Sequence, residues 1–207
     1  DTKIKKMLSH KKSLNILKKT NALLEGHFVL SSGLHSSKYV QCAKLLSFPR
    51  LASKITRSLA NKIKKNFKNI DLILSPAIGG IVIGYEIGRL LNKENIFCER
   101  VNGKFNLRRG FSIKKNCKVL IVEDVITTGK SSLECSKLVR RSKAKLLGYA
   151  CIIDRSNNQD LKIKNKKIIS QVKIKVPTFK KNKLPLSLKR ISPYSPGTRR
   201  LKSWDLV

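Results

Sequence analysis

Acidic side chains are scarce in this chain. Asp and Glu number 12 against 46 Lys and Arg, a formal net charge of +34 over 207 residues. That field disfavours cationic partners and draws in anions, from small phosphorylated or carboxylated substrates to nucleic acid. A dedicated nucleic-acid surface is not expected, because the lysines are scattered along the whole chain without an arginine-rich stripe. Lys, Ile and Asn are abundant together, which reads as compositional bias. Long apolar runs are missing too: no uninterrupted segment approaches the ~18–20 residues of a membrane span. The first residues, Asp1 to Lys19, alternate lysines with Ile4, Met7, Leu8, Leu14, Ile16 and Leu17. They lack the compact apolar segment and small-residue cleavage site of a secretory signal, and organelle transit peptides favour Arg and Ser over Lys. A cytoplasmic location is the expectation. The five cysteines, Cys42, Cys98, Cys117, Cys135 and Cys151, are odd in number and far apart. No C-x-x-C pair or zinc-spaced His/Cys cluster exists, so reduced thiols acting as small buried hydrophobes are expected.

What is present suffices for one domain with a real core, 41% of the residues being hydrophobic. Mixed three- and four-residue apolar spacing predicts one or two helices over Ile4 to Leu24. Strands are predicted at Phe28 to Leu30 and Tyr39 to Leu46, flanking a tight turn at Ser31-Ser32-Gly33. Leu51, Ile55, Leu59, Ile63 and Phe67 recur every four residues, a helix opened by Pro49. A strand from Asp71 to Leu74 runs into Ser75-Pro76-Ala77-Ile78-Gly79-Gly80, followed by a helical pattern from Ile81 to Leu91. Next come a strand at Ile96 to Glu99 and a polar, charged excursion from Arg100 to Gly110. Lys118 to Glu123 reads as a buried strand by length and β-branching. A helix follows to Val139, with Ser131 or Ser132 as its cap. Leu146 to Asp154 and Lys167 to Val176 complete the strands. Strands alternating with helices imply an α/β fold, a mainly parallel sheet covered on both faces. In such folds ligands bind where strands end and helices begin, and both glycine loops, 75–80 and 124–131, fall on that edge.

The stretch Lys118-Val-Leu-Ile-Val-Glu123-Asp124-Val-Ile-Thr127-Thr128-Gly129-Lys130-Ser131 is the most informative in the chain. An apolar strand delivers two adjacent carboxylates to the sheet edge, where they can accept hydrogen bonds from a ribose diol. The loop behind them offers hydroxyls, backbone N–H groups and a helix N-terminus, which together cradle a phosphate. It is not an ATP-type P-loop, because no G-x-x-x-x-G-K-[ST] is present.

This stretch resembles the 5-phosphoribosyl-1-diphosphate motif of the type I phosphoribosyltransferases. The resemblance implies that Glu123 and Asp124 hold the ribose hydroxyls and that Thr127, Thr128, Gly129, Lys130 and Ser131 hold the 5′-phosphate. Lys130 stands where the family usually has a small residue or Thr. Three further segments resemble the orotate phosphoribosyltransferases: Gly26 to Ser36 with Tyr39-Val40-Gln41 is similar to their N-terminal hood, Ser75 to Gly80 to their pyrophosphate-side loop, and Glu99-Arg100 through Leu107-Arg108-Arg109-Gly110-Phe111 to the mobile loop of one bacterial branch. Asp154-Arg155 matches the contact to the orotate carboxylate, and Pro-Gly-Thr-Arg at 196–199 resembles the tail of that branch. Many members carry a lysine where Ser31 and Gly79 stand; the same bacterial branch lacks both.

The resemblance implies a type I phosphoribosyltransferase-like fold, with residues 1–48 as N-terminal helix and hood and 49–176 as core. Residues 177–207 form a tail, irregular or packed on the hood. It implies phosphoribosyl transfer to orotate, with Arg100, Lys104, Arg108 and Arg109 closing over pyrophosphate on hinges at Gly103 and Gly110, and Asp124 counted with them as catalytic. Gly79 belongs to the donor site; Thr127, Arg155, Tyr39 and Val40 border the base. Mg2+ is implied as cofactor, held mainly by substrate oxygens and water with no protein metal cage. A homodimer sharing its mobile loop across subunits is implied as well. A phosphoribosyltransferase for a purine or other base, and a regulatory protein that keeps the fold and binds RNA, are the competing readings.

Overall fold

The computed structural model describes residues 7–30, 32–156 and 161–196. Ile4, Ser31 and the tail residues Gly197, Thr198 and Arg199 lie outside them. A six-stranded sheet organises the chain, in the order β5-β4-β3-β6-β7-β8. Its strands are β3 (Leu72–Pro76), β4 (Glu94–Val101), β5 (Lys104–Leu107), β6 (Lys118–Ile126), β7 (Lys145–Asp154) and β8 (Ile168–Lys173). All neighbours run parallel except β4 and β5. The central strands are apolar without a break because both faces are covered. Strand alternation sorts their side chains into two cores. Ile73, Leu120, Val122, Ala150 and Ile152 join one cluster, while Leu72, Leu74, Val119, Ile121, Tyr149 and Cys151 join the other. The first is roofed by α1 (His10–Lys19), α3 (Pro49–Asn66) and α4 (Gly79–Leu91), and α5 (Lys130–Arg141) packs on the second.

A small three-stranded sheet, β1 (Leu23–Val29), β2 (His35–Val40) and β9 (Thr178–Phe179), stands beside this core. It joins the two ends of the chain, since β9 comes from the segment expected to be irregular or packed on the hood. Leu188, in the short α6 (Leu186–Lys189), is buried there at 3% exposure.

Several boundaries differ from expectation, each for a local reason. The N-terminal helix stops at Lys19, because Asn21 takes a left-handed backbone (φ 55°) and turns Leu23 and Leu24 into β1. The strand expected from Tyr39 to Leu46 ends at Val40. Cys42–Leu46 is the short helix α2, which buries Cys42 and Leu45 three residues apart on one face. The excursion from Arg100 to Gly110 contains a β-hairpin: Val101 pairs with Lys104, and Asn102 and Gly103 make the two-residue turn with φ of 49° and 76°. Asn-Gly between extended residues is the preferred sequence for that turn.

Helix α4 approaches β3 so closely at Gly84 that a methyl group there would meet the Ser75 Oγ and the Asn95 Nδ2. Ser75 is fully buried and accepts a hydrogen bond from Asn95 at 3.2 Å. Gly84→Ala should therefore destabilise the protein by about 1–3 kcal/mol, the usual cost of overpacking, read as a lower midpoint in urea unfolding.

Candidate functional site

Because β3, β6 and β7 are parallel, their C-terminal ends fall on one edge, and the loops that follow them converge there. Strand β6 runs three residues past Glu123, so both acids belong to the sheet. Alternation then turns them to opposite faces. Glu123 is directed to α5, where the Ser132 hydroxyl donates to its Oε1. Asp124 is directed to the start of α4: a Cβ on Gly79 would lie 2.6 Å from its Oδ2. The two carboxylates, adjacent in the chain, are turned to opposite faces of the strand, and Asp124 meets Gly79, which the resemblance also assigns to the donor site.

The surroundings act on both acids. Burial is the main cause that raises Glu123, to about 7; the Ser132 hydrogen bond opposes it and the Asp124 charge adds to it. Burial also raises Asp124, against the Val125 N–H that donates to its Oδ1 at 2.8 Å. Cys42 lies close enough to Asp124 for the carboxylate charge to raise its thiol further, after burial.

Past Ile126 the chain forms a cradle. Gly129, in a left-handed conformation (φ 70°), is the N-cap of α5, and no side chain caps that helix. Neither Ser131 nor Ser132 takes the cap position expected of one of them: Ser131 lines the loop, and Ser132 is buried against Glu123. The first turn thus directs N–H groups toward an anion at the loop. Glu123, Thr127, Thr128, Gly129, Lys130 and Ser131 are among the residues lining a hollow of about 70 Å³. Thr128 Oγ1 accepts from the Lys130 N–H at 3.4 Å. Behind the loop, Lys162 N donates to Thr128 O at 2.8 Å, and Leu161 and Ile163 fill the space beside Gly129. No signal in the sequence pointed to this brace.

Ile126 pairs with Asp154, so the next residues, Thr127 and Arg155, leave the sheet side by side. Arg155 N donates to Ile126 O at 2.8 Å. Among the described residues, the Arg155 Nε is buried without a hydrogen-bond partner. Burial lowers the pKa of this guanidinium, and the nearby Tyr39 acts in the other direction. Tyr39 is half-buried on β2, within electrostatic reach of Arg155, and Val40 next to it is buried.

The four expected loop cations sit on or beside the β4–β5 hairpin. Two are engaged by acids that the sequence reading gave no role. Arg100 pairs with Glu134 of α5 at 2.6 Å, donates to Gly103 O at 2.7 Å and lies 4.1 Å above the Phe105 ring. Arg109 forks onto Glu99 at 2.7 and 3.2 Å. Lys104 and Arg108 are exposed. The five cysteines are free thiols, with Cys98 and Cys135 buried 3.2 Å apart.

Comparison with known proteins agrees with this architecture. Residues 42–185 match the phosphoribosyl transferase domain family. Over 188 residues the chain is 43% identical to the orotate phosphoribosyltransferase of Erythrobacter litoralis (strain HTCC2594), covering 90% of this chain and 96% of that protein. Among solved structures, orotate phosphoribosyltransferase from Aeropyrum pernix superposes with a TM-score of 0.64 at 23% identity, over 77% of this chain and 92% of that one. Adenine phosphoribosyltransferase from Thermoanaerobacter pseudethanolicus gives 0.58 at 16% identity, over 66% and 88%. At such identities the two structures establish the fold alone; the family follows from the matched domain and the Erythrobacter relative. The chain belongs to the orotate phosphoribosyltransferase family, within the phosphoribosyl transferase domain family.

Proposed function

We propose that this protein transfers the phosphoribosyl group of 5-phosphoribosyl-1-diphosphate to N1 of orotate in a Mg2+-dependent reaction. The products are orotidine 5′-phosphate and pyrophosphate, in a cytoplasmic step of de novo pyrimidine (UMP) biosynthesis. The observation that carries the choice of acceptor is Arg155, whose buried Nε has no hydrogen-bond partner. A buried cation of this kind calls for a carboxylate, which the guanidinium can grip with two parallel hydrogen bonds. A purine, having no carboxylate, would leave it unpaired. The name of the Erythrobacter relative supports the same acceptor.

In this reading Thr127, Thr128, Gly129, Lys130 and Ser131 hold the 5′-phosphate at the start of α5, and Glu123 and Asp124 accept from the ribose hydroxyls. Gly79 gives the donor room beside Asp124. Arg155, Thr127, Tyr39 and Val40 surround the base. The bond from C1 to pyrophosphate breaks ahead of the bond from C1 to N1, so positive charge gathers on the ribose and negative charge on the leaving group. Side chains act by placing opposite charge where it develops, with no covalent intermediate. Arg100, Lys104, Arg108 and Arg109 supply the cations as the hairpin region closes and excludes water. Closure asks Arg100 and Arg109 to exchange Glu134 and Glu99 for pyrophosphate; such partly exposed pairs are weak enough to yield. The donors gathered at the strand end include hard oxygens, from Glu123, Asp124, Thr127 and Thr128, a set that suits Mg2+. The ion would rest on water and on oxygens of the substrate that these residues grip, and when bound it offsets charge on the departing pyrophosphate.

The test is an ultraviolet assay with orotate, 5-phosphoribosyl-1-diphosphate and Mg2+. Loss of orotate absorbance should require all three. Arg155→Ala should raise the orotate KM by about tenfold or more while leaving the donor KM nearly unchanged. An unchanged orotate KM would overturn the base-site assignment.

Glu123 yields a second prediction. Its folded value, about 7, lies above the ordinary 4.5, so the folded state binds the proton more tightly than the unfolded chain. The corresponding stability is complete below pH 4.5 and is lost as pH rises through about 7. The loss is on the order of 3 kcal/mol. Glu123→Gln should remove this pH dependence, melting above the wild type at pH 8, while donor affinity falls. Thermal melts at pH 5 and pH 8 check the sign.

We also infer a homodimer, formed through the outer face of α4. Ile78, Val82 and Tyr85 are 86%, 53% and 66% exposed and fall on one side at helical spacing. Sedimentation velocity at micromolar concentration should show a dimer that Tyr85→Arg converts to monomer. A monomeric wild type would remove this inference.

A further inference from the structure

Early and late segments of the described chain meet on the hood, and the contact there is more specific than packing requires. Tyr194 N donates to His27 O and Val29 N donates to Tyr194 O, each at 2.8 Å, so the segment around Tyr194 adds to the free edge of β1. On the opposite edge of the hood, β9 pairs with β2, and the Ser36 hydroxyl donates to Pro177 O at 2.7 Å. The chain after β8 therefore grips both edges of the hairpin formed by β1 and β2.

A polar clasp sets the register of this grip. His27 Nδ1 lies 2.8 Å from Ile191 O, and His27 Nε2 lies 2.7 Å from His35 Nδ1. A carbonyl only accepts, so Nδ1 of His27 must carry the proton it donates. In a neutral His27, Nε2 is then the acceptor and His35 Nδ1 the donor. The two buried imidazoles thus form a directional relay from β2 through β1 to the carbonyl of Ile191, and a shift of the strap by one residue would break it.

The strap also reaches the base side of the site through aromatic rings. Tyr194 stands edge-on to Phe28 with centroids 6.5 Å apart, and Phe28 packs on Tyr39 at 5.7 Å. Phe28 is 5% exposed, so its ring has little freedom to adjust independently of these neighbours. Tyr39 in turn is within electrostatic reach of Arg155. The aromatic path runs from Tyr194 through Phe28 to Tyr39 and contains no residue of the phosphate cradle.

We propose that the segment Ile191 to Tyr194 is a positioning strap for the acceptor base: it fixes Phe28, and through Phe28 the ring of Tyr39, which the proposed function sets at the base. This inference rests on the assignment of Arg155 to the base carboxylate. Tyr194 itself touches no substrate and acts through Phe28. The strap should therefore govern affinity for the base and leave the donor alone.

Tyr194 is 62% exposed, so replacing its ring does not hollow the core. Tyr194→Ala, Tyr194→Phe and the wild type should be compared in steady-state assays and in calorimetric titration with orotate. Loss of one aromatic pair predicts an orotate KM and Kd raised about 2- to 10-fold in Tyr194→Ala. The donor KM should be unchanged, and Tyr194→Phe, which keeps the ring, should restore wild-type affinity. Unchanged orotate binding in Tyr194→Ala overturns the strap while sparing the acceptor assignment. So does a parallel rise in both KM values, which marks general loosening. A wild type that neither binds nor consumes orotate sinks the acceptor assignment and the strap together.

Discussion

The covered sheet dictates where charge can exist in this molecule. Helices α1, α3 and α4 close one face and α5 the other, so β6 must be apolar from Val119 to Val122 on both sides. Carboxylates become possible where that cover thins, and Glu123 and Asp124 occupy that border. Each remains partly desolvated, which raises both pKa values, and local donors hold them, the Ser132 hydroxyl on Glu123 and backbone N–H groups, that of Val125 among them, on Asp124. The phosphate cradle, the start of α4 and Arg155 are arranged around this border because parallel strands bring all their C-terminal ends to one edge.

The shortage of acid sharpens the contrast. Five other carboxylates hold cations: Glu25 holds Lys18, Glu86 Arg89, Glu99 Arg109, Glu134 Arg100 and Asp154 Lys173. Among the described residues, Glu123 and Asp124 enter no such pair, although basic side chains outnumber acidic ones almost fourfold. Arg155 is the complementary case, a mostly buried guanidinium with an unmatched nitrogen. Opposite charges left unpaired on one sheet edge cost stability in the free protein. In the proposed function they become assets, since the ligands carry hydroxyls for the acids and a carboxylate for the arginine.

The hood adds the constraint of topology. Its strands come from the beginning of the chain and its outer bonds from the end, so it is complete only when Thr178–Phe179 and Tyr194 have docked. The hood is thereby tied to a long-range contact, while the loop Thr127 to Ser131 is built from β6 and the first turn of α5, neighbours in sequence.

That difference also divides what could be read before folding from what could not. Periodicity located α3 through Leu51, Ile55, Leu59 and Ile63, and the unbroken apolar run located β6, because a buried helix stripe and a doubly covered strand leave local patterns. The cradle Thr127 to Ser131 was legible for the same reason: its parts are contiguous, and strand, turn and helix start follow one another in the chain. The Asn102-Gly103 hairpin was equally local, yet the surrounding charges concealed it. Beyond reach were the partners that meet only in space: Ser132 on Glu123, Glu134 on Arg100, Glu99 on Arg109, and His27 on Ile191. The sequence by itself determined which residues lie at the sheet edge and what chemistry they carry. Only the tertiary structure decided which face each acid meets, which cations are already engaged and that the end of the chain braces the hood. Side-chain direction along a strand follows from alternation, but the identity of the neighbour across it depends on how distant segments pack.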